Sequence, residues 1–239
     1  MNAGVTAREL ARANLTQAIR DAARGQLAVQ GAGHLSVRAV AREIGMVSSA
    51  VYRYFPTRDD LLTALIVDAY NALGAAVERA DAGVEPDDVR GRWRAMCHAV
   101  RAWAVGHPHE YGLIFGSPVP DYRAPQDTVG PAARVPIALF AAVHHGVSIG
   151  AVLVADSSRG PAVPAALSAQ MAVVIAEVAP GVPETVALRA AIAWTQLFGM
   201  VTFELFGQLV GTMDPADDFF ATSVDLMAEL VGIRPHPTR

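Results

Sequence analysis

SVRAVAREIGMVSSAVYRYFPTRDDLL, residues 36–62, decides how this chain is read. Val37, Val40, Ala41 and Ile44 fall at i, i+3, i+4 and i+7, the apolar stripe of one helix. Ser36 stands where an N-cap hydroxyl accepts from an amide of the first turn. Gly45 ends that helix, since glycine takes the left-handed C-terminal conformation cheaply. A second short helix follows, with Val51 and Phe55 one turn apart on its buried side. Pro56 closes it, because the residue before a proline is pushed out of helical geometry. Thr57-Arg58-Asp59-Asp60 has the form of a capping box and opens a third helix, with Leu62, Leu65, Ile66 and Ala69 inward.

Two short helices joined by a glycine turn form a helix-turn-helix. A helical hairpin with no nucleic-acid role has the same spacing. In the DNA-reading case the second helix enters the major groove by its N-terminal residues. Those residues are Ser48, Ser49 and Ala50, small enough for close approach to base edges. Tyr52, Arg53, Tyr54 and Arg58 surround them at phosphate-reaching positions. Ser36, Arg38 and Arg42, on and before the first helix of the pair, complete the expected DNA-facing set. A preceding helix over about Ala7 to Gln30 places Leu15, Ile19, Ala22 and Ala23 on one face. Arg8 and Arg12 near its start are either backbone or minor-groove contacts, or solvated charges on an exposed face.

The run AVAREIGMVSSAVYRYFPTRDDLL, within a three-helix unit from roughly Ala7 to Val77, resembles the DNA-binding domain of the TetR family of bacterial transcriptional regulators. The resemblance implies a dimeric repressor whose C-terminal domain binds a small effector. Val47 stands where the family usually caps the recognition helix with Ser or Thr, and Ser48 is the expected substitute. Arg58 stands where Lys is commoner and keeps the charge. Farther on, RAWAVGHPHEYGLIFGSPVPDY and AWTQLFGMVTFELFGQLVG resemble the subgroup with a Trp-His-Gly-type C-terminal domain, with Phe198 in the histidine place.

Composition agrees with a regulator of this kind. At 239 residues and 52% hydrophobic, the chain has room for one small and one medium domain, each with a core. All 19 basic residues are Arg. The lone Cys97 excludes an intramolecular disulfide and fits a reducing compartment. No signal-peptide pattern opens the chain, so the expected location is the bacterial cytoplasm, at the nucleoid when DNA-bound. Net charge is −4, but it is unevenly distributed. Residues 1–60 hold eight Arg against five acids, a net of +3, and residues 61–239 hold 11 against 18, a net of −7. Phosphate attraction is screened beyond roughly 8 Å at physiological salt, so a distal negative domain need not oppose it.

Of the 15 prolines, none precedes Pro56. Between the proline-rich breaks lie segments of helical length, near 87–106, 108–116, 133–156, 164–178, 183–211 and 215–232, with no persistent strand alternation. The expected fold is therefore all-α. It has a three-helix helix-turn-helix domain over 1–60, its last helix continuing to about 80, and a helical effector-binding and dimerisation domain over 81–239. The Gly/Pro-rich stretch from Gly116 to Pro131 reads as an ordered loop. Residues 135–155 carry no formal charge over 21 positions, long enough to span a bilayer, but Pro136 and the adjacent His144 and His145 favour a buried helix, so no membrane is expected. Gly207 and Gly211 lie one turn apart, and Leu205, Leu209, Phe219, Leu226 and Leu230 supply apolar surface. Packing of this last helix pair against its copy in a homodimer is one reading, and intramolecular core packing is the other.

Effector pockets are apolar with a few polar groups. Trp93, Trp103, Tyr111, Phe115, Phe140, His144, Trp194 and Phe198 are the candidates, each also able to serve as core. The expected effector is a moderately hydrophobic small molecule, and the expected partner is a double-stranded DNA operator. A ligand packed on the far end of the helix that begins at Thr57 would tilt it and change the spacing of two recognition helices. A metal or haem sensor built on Cys97, His98, His107, His109, His144 and His145 is the alternative, although these spacings form no recognised zinc pattern. No nucleophile–base constellation, Gly-x-Ser-x-Gly elbow, phosphate loop or His-Glu-x-x-His is present, so no catalytic residue, metal ligand or cofactor is assigned.

Overall fold

The computed structural model describes residues 6–154 and 162–235. Among these residues lie ten α-helices: α1 Ala7–Gln30, α2 Val37–Glu43, α3 Ser48–Val51, α4 Arg58–Ala82, α5 Val89–Gly106, α6 Pro108–Phe115, α7 Val129–Ser148, α8 Ala165–Val178, α9 Glu184–Leu205 and α10 Asp217–Val231. The chain is all-α, as its patterning predicts. One antiparallel bridge, Val152 with Ile233, is the β-type pairing found among the described residues.

Contacts divide the chain into two compact units. The first runs to Asn71 and takes in His107–Pro131; the second is Ala72–Gly106 with Ala132 onward. The core of the first is built from Ile19, Ala23 and Leu27 of α1, Val37 and Val40 of α2, Val51 and Phe55, and Leu61, Leu62 and Leu65 of α4. Leu113 and Ile114 of α6 and Val119 and Tyr122 of the following loop pack on the same core. The Tyr122 hydroxyl lies 2.9 Å from Thr63 Oγ1, so the Gly/Pro-rich stretch is held in place as expected.

The second unit has its core in Trp93, Met96 and Val100 of α5, Leu139 and Val143 of α7, Leu197 and Val201 of α9, and Phe220 and Val224 of α10. Arg101 of α5 donates to Glu204 at 2.7 Å and to Asp217 at 2.9 Å, and Arg94 donates to Asp225 at 2.6 Å, fastening α5 to α9 and α10.

Two helix boundaries differ from the expected ones. The segment expected over 133–156 is α7, which starts earlier and ends at Ser148. Pro131 falls in its first turn, where a missing N–H costs nothing, and Pro136 is carried inside the helix. Gly150, at φ 74°, turns the chain out. The uncharged stretch 135–155 is thus no membrane-length helix, and α7 buries Val135, Leu139, Phe140 and Val143. By length and composition α4 and α9 could cross a bilayer, yet 44% of each apolar window is buried inside the protein. The helix expected over 183–211 is α9, which stops at Leu205. Gly207 and Gly211 adopt φ 79° and 76°, so they turn the chain and do not open a helix face to a partner.

Candidate nucleic-acid interface

Local hydrogen bonding builds the helix-turn-helix. Ser36 caps α2, its Oγ accepting from Ala39 N–H at 3.4 Å. The Ser36 N–H donates to Oε1 of the buried Gln26 at 3.1 Å, tying α1 to the start of α2. At the other end Gly45 N–H donates to Arg42 O and Met46 N–H to Ala41 O, at 3.2 and 2.8 Å. This is the double bond of a Schellman turn, and Gly45 at φ 70° supplies its left-handed residue. The turn delivers α3 directly. After one regular turn, Tyr54 and Phe55 N–H both donate to Val51 O, and Val51 and Phe55 enter the core.

Pro56 ends that run, and Thr57 and Asp60 form the expected capping box of α4. Thr57 N–H donates to Asp60 Oδ2 at 2.9 Å, and Asp60 N–H donates to Thr57 Oγ1 at 3.0 Å. The recognition helix itself lacks a side-chain cap. Val47 is its N-cap, and neither Val47 nor Ser48 accepts a capping bond. The expected substitution by Ser48 is not made.

The expected DNA-facing residues separate into two groups. Arg38, Arg42, Ser49, Tyr52 and Arg53 are exposed, while Ser36, Ser48, Ala50 and Tyr54 are half-buried beside them. Arg12 of α1 lies over the Tyr54 ring at 5.7 Å. A groove of about 340 Å³ is lined by Arg8, Arg12, Leu15, Arg53 and Tyr54. The structure therefore brings Arg8 and Arg12 to the recognition helix, where a solvated, unrelated position was the alternative.

Arg58 has a different position from the one its motif suggests. Its Nε donates to Leu35 O at 3.0 Å, and its Nη2 to Ala32 O at 2.9 Å and Gly33 O at 3.1 Å. These carbonyls belong to the turn between α1 and α2, so Arg58 clamps α4 to that turn. Arg20 and Arg24 are likewise taken up internally, both pairing with Asp68.

Sequence reasoning missed the capping box at the start of α1. Thr6 Oγ1 accepts from Glu9 N–H while Glu9 accepts from Thr6 N–H, and the Thr-x-x-Glu spacing was there to find it. It also missed the attachment of α6 to the first unit, for which no local signal exists.

The expected effector residues do not gather into one place. Tyr111 and Phe115 lie in the first unit, with ring centroids 5.0 Å apart, and Phe115 meets Tyr70 edge-on at 5.9 Å. In the second unit Trp93, Trp103 and Phe140 are buried core, and Trp93 Nε1 donates to Val224 O at 3.2 Å. His144 is exposed. Trp194 and Phe198 are half-buried, with ring centroids 6.1 Å apart, and Trp194 Nε1 is sealed from solvent without a hydrogen-bond partner. Among the described residues no three of His, Cys, Asp and Glu come together as metal ligands. Burial holds the Cys97 thiol protonated by pushing its pKa far above the ordinary value.

Of the five residues expected at a dimer face, Leu226 and Leu230 are exposed, Leu205 and Phe219 half-buried and Leu209 buried. A more continuous face lies on α9. Ile192, Gln196, Gly199 and Phe203, at helical spacing, are all exposed, and no atom lies within 4 Å of where a Gly199 side chain would begin.

Comparison with known proteins agrees with this geometry. Residues 19–65 match the family described as bacterial regulatory proteins, tetR family. Residues 93–227 match the tetracyclin repressor-like C-terminal domain. The HTH-type transcriptional regulator Rv1816 of Mycobacterium tuberculosis is 39% identical over 227 residues, covering 92% of this chain and 94% of that protein. The crystal structure of the regulatory-protein candidate SCO4313 superposes with a TM-score of 0.75 at 33% identity, covering 94% of this chain and all of that one (100%). RolR, solved in complex with its ligand resorcinol, shares the fold at a TM-score of 0.52 and 15% identity, covering 96% of this chain and 97% of that chain.

Proposed function

The chain belongs to the TetR family of bacterial transcriptional regulators, and from that premise we propose that it is a homodimeric, ligand-responsive repressor of a palindromic operator. It is a DNA-binding regulator, not an enzyme. The observations that support the dimer are the exposed stripe of α9, with Phe203 54% and Ile192 48% accessible, and the exposed Leu226 and Leu230 of α10. Water-exposed apolar surface of this extent on a helix pair is what a second copy would cover. A twofold dimer carries two recognition helices and so reads a palindrome with half-sites about 34–36 Å apart or a multiple.

Division of labour at the DNA follows from exposure. Arg38, Arg42 and Arg53, with Arg8 and Arg12, neutralise phosphates and fix register. Ser49, with Ser48 and Ala50, lets α3 approach base edges, and Tyr52 stands at its rim. Arg58 acts behind this surface by holding the turn before α2.

For the effector, Trp194 supports the reading best. A buried indole N–H without an acceptor is rare in a native protein. We assign it to a hydrophobic effector bearing one hydrogen-bond acceptor, beside Phe198. Resorcinol binding by the fold relative RolR is in keeping with a small aromatic of this kind. The effector acts only through its differential affinity for DNA-competent and incompetent states, and a shift from 99:1 to 1:99 needs about 5.5 kcal/mol of such preference. The working location is the cytoplasm, at the nucleoid when bound.

Selection of duplexes from a random pool by the full-length protein tests the reading directly. A palindromic consensus is expected. Arg53→Ala weakens binding across all sequences and lowers the salt dependence, whereas Ser49→Val relaxes choice at one base pair per half-site. An asymmetric consensus, or retention of DNA by the Arg53→Ala protein at wild-type affinity, defeats the proposal.

A further inference from the structure

A cavity in the second unit belongs neither to the DNA-facing surface nor to the exposed stripe of α9. Its volume is about 330 Å³, and Val89, Arg90, Ile149, Ala151 and Arg234 line it together with Asp87. It lies where the first turn of α5 meets the chain leaving α7 and the chain leaving α10. Those two chain ends are hydrogen-bonded to each other. Leu153 N–H donates to Gly232 O at 2.8 Å, and Arg234 N–H donates to Ala151 O at 2.9 Å. The walls are thus fixed by backbone pairing.

Arg90 is the unusual member. It is 8% exposed, the one charged side chain among the buried described residues. Its Nη2 alone is bonded, and only by long contacts: Asp225 O at 3.5 Å, Asp225 Oδ1 at 3.3 Å and Glu229 Oε1 at 3.4 Å. Its Nε and Nη1 are sealed from solvent with no partner. Asp225 is no full counter-ion, because both its carboxylate oxygens are taken by Arg94 at 2.6 and 2.9 Å. A buried guanidinium with two idle donors is a cation short of an acceptor, and buried polar groups in native proteins are otherwise paired. Arg234, exposed at the same cavity, adds a second positive charge. Asp87 is the opposing charge, and its Oδ1 lies 2.9 Å from His145 Nε2.

The chemistry of the missing acceptor follows. A guanidinium fork matches the two oxygens of a carboxylate. The side chains of Val89, Ile149 and Ala151 favour an apolar body over a hydrated inorganic anion. The volume falls in the range of small-molecule sites, about 300–1,000 Å³. We propose that this cavity is a binding site for a small organic monocarboxylate, whose carboxylate pairs with Arg90 and Arg234 and whose apolar body rests on Val89, Ile149 and Ala151. Arg90 lines the cavity, and a carboxylate entering there supplies the acceptor that its idle nitrogens lack. The site is separate from the Trp194 region proposed for the effector.

Calorimetric titration of the full chain with sodium benzoate, hexanoate, benzamide and inorganic phosphate tests this without DNA, so its failure is distinct from failure of the operator reading. At least one carboxylate is expected to bind saturably, about tenfold or more tighter than benzamide or phosphate. Arg90→Met should abolish that binding, with circular dichroism reporting whether the variant folds. Arg234→Gln alters an exposed side chain and should weaken binding about threefold or more. No saturable binding of either carboxylate overturns the proposal. So does equal or tighter binding of benzamide or phosphate, or carboxylate affinity unchanged in Arg234→Gln or in folded Arg90→Met.

Discussion

Arg58 illustrates how one side chain can satisfy a family pattern and still do something else. Its sequence position, directly after the recognition helix and Pro56, points to a phosphate. In the structure its guanidinium reaches back to the carbonyls of Ala32, Gly33 and Leu35, in the turn between α1 and α2. Hydrogen bonds from a charged donor are worth roughly 1.5–3 kcal/mol each when shielded. At 32% side-chain exposure the sum is discounted by solvent, so Arg58→Met should destabilise the first unit by about 1–3 kcal/mol. Urea unfolding followed by tryptophan-independent circular dichroism measures it. Arg58→Lys should recover little, since an ammonium cannot span three carbonyls in one plane. Unchanged stability together with lost operator affinity would restore the phosphate role and remove the clamp.

At the scale of elements, local signals were legible wherever the physics is local. Ser36, the Gly45 turn, Pro56 and the Thr57–Asp60 box each act within five residues, and each is found where the pattern puts it. The α9 boundary was not legible, because a glycine one turn beyond a good helix reads equally as helix face or as left-handed stop until φ is known. The attachment of α6 to the first unit rests on Leu113 and Ile114 packing on its core and on the Tyr70 hydroxyl donating to Ile114 O at 3.4 Å, 44 residues away, and no spacing rule encodes that. The same holds for the site residues. Exposure of Arg53 and Tyr52 follows from the helix-turn-helix, but the burial of Trp93, Trp103 and Phe140 depends on packing among distant helices.

Ion pairs between elements have a pH signature. Hydrogen bonds from Arg94 hold Asp225, from Arg101 hold Asp217, and from Arg134 hold Glu78 below the ordinary carboxylate range. A carboxylate whose folded pKa is depressed stabilises the fold above its unfolded value, near 4, and loses that contribution as pH falls through the folded value. Tm should therefore decline as pH drops below about 4, and the Arg94→Met and Arg101→Met proteins should show a shallower decline. Parallel acid titrations of all three proteins check this. Identical slopes would mean that these pairs do not couple α5 to α9 and α10.

The proposed reading of a palindromic operator requires that two copies of the molecule be joined. The Gly207–Gly211 pair cannot provide the close approach that the sequence suggested, since both residues lie beyond the end of α9 in left-handed turns. Gly199 can. It sits within the exposed stripe Ile192–Gln196–Gly199–Phe203, with empty space above its Cα. A partner helix crossing there would meet backbone, flanked by Phe203 as an apolar anchor. A stable dimer needs about 1,600 Å² of buried surface in total, and α9 with Leu226 and Leu230 of α10 offers the apolar centre of such a face. Light scattering at micromolar concentration should give twice the mass of the 25.2 kDa chain. Gly199→Leu adds a side chain where the single chain has room, so the fold should persist while the dimer weakens about tenfold or more. Phe203→Glu should act in the same direction through charge at the interface centre. Both variants should keep helical circular dichroism and lose affinity for a full palindrome while still occupying a half-site weakly. A dimer mass unchanged in both variants would place the twofold axis elsewhere on the molecule.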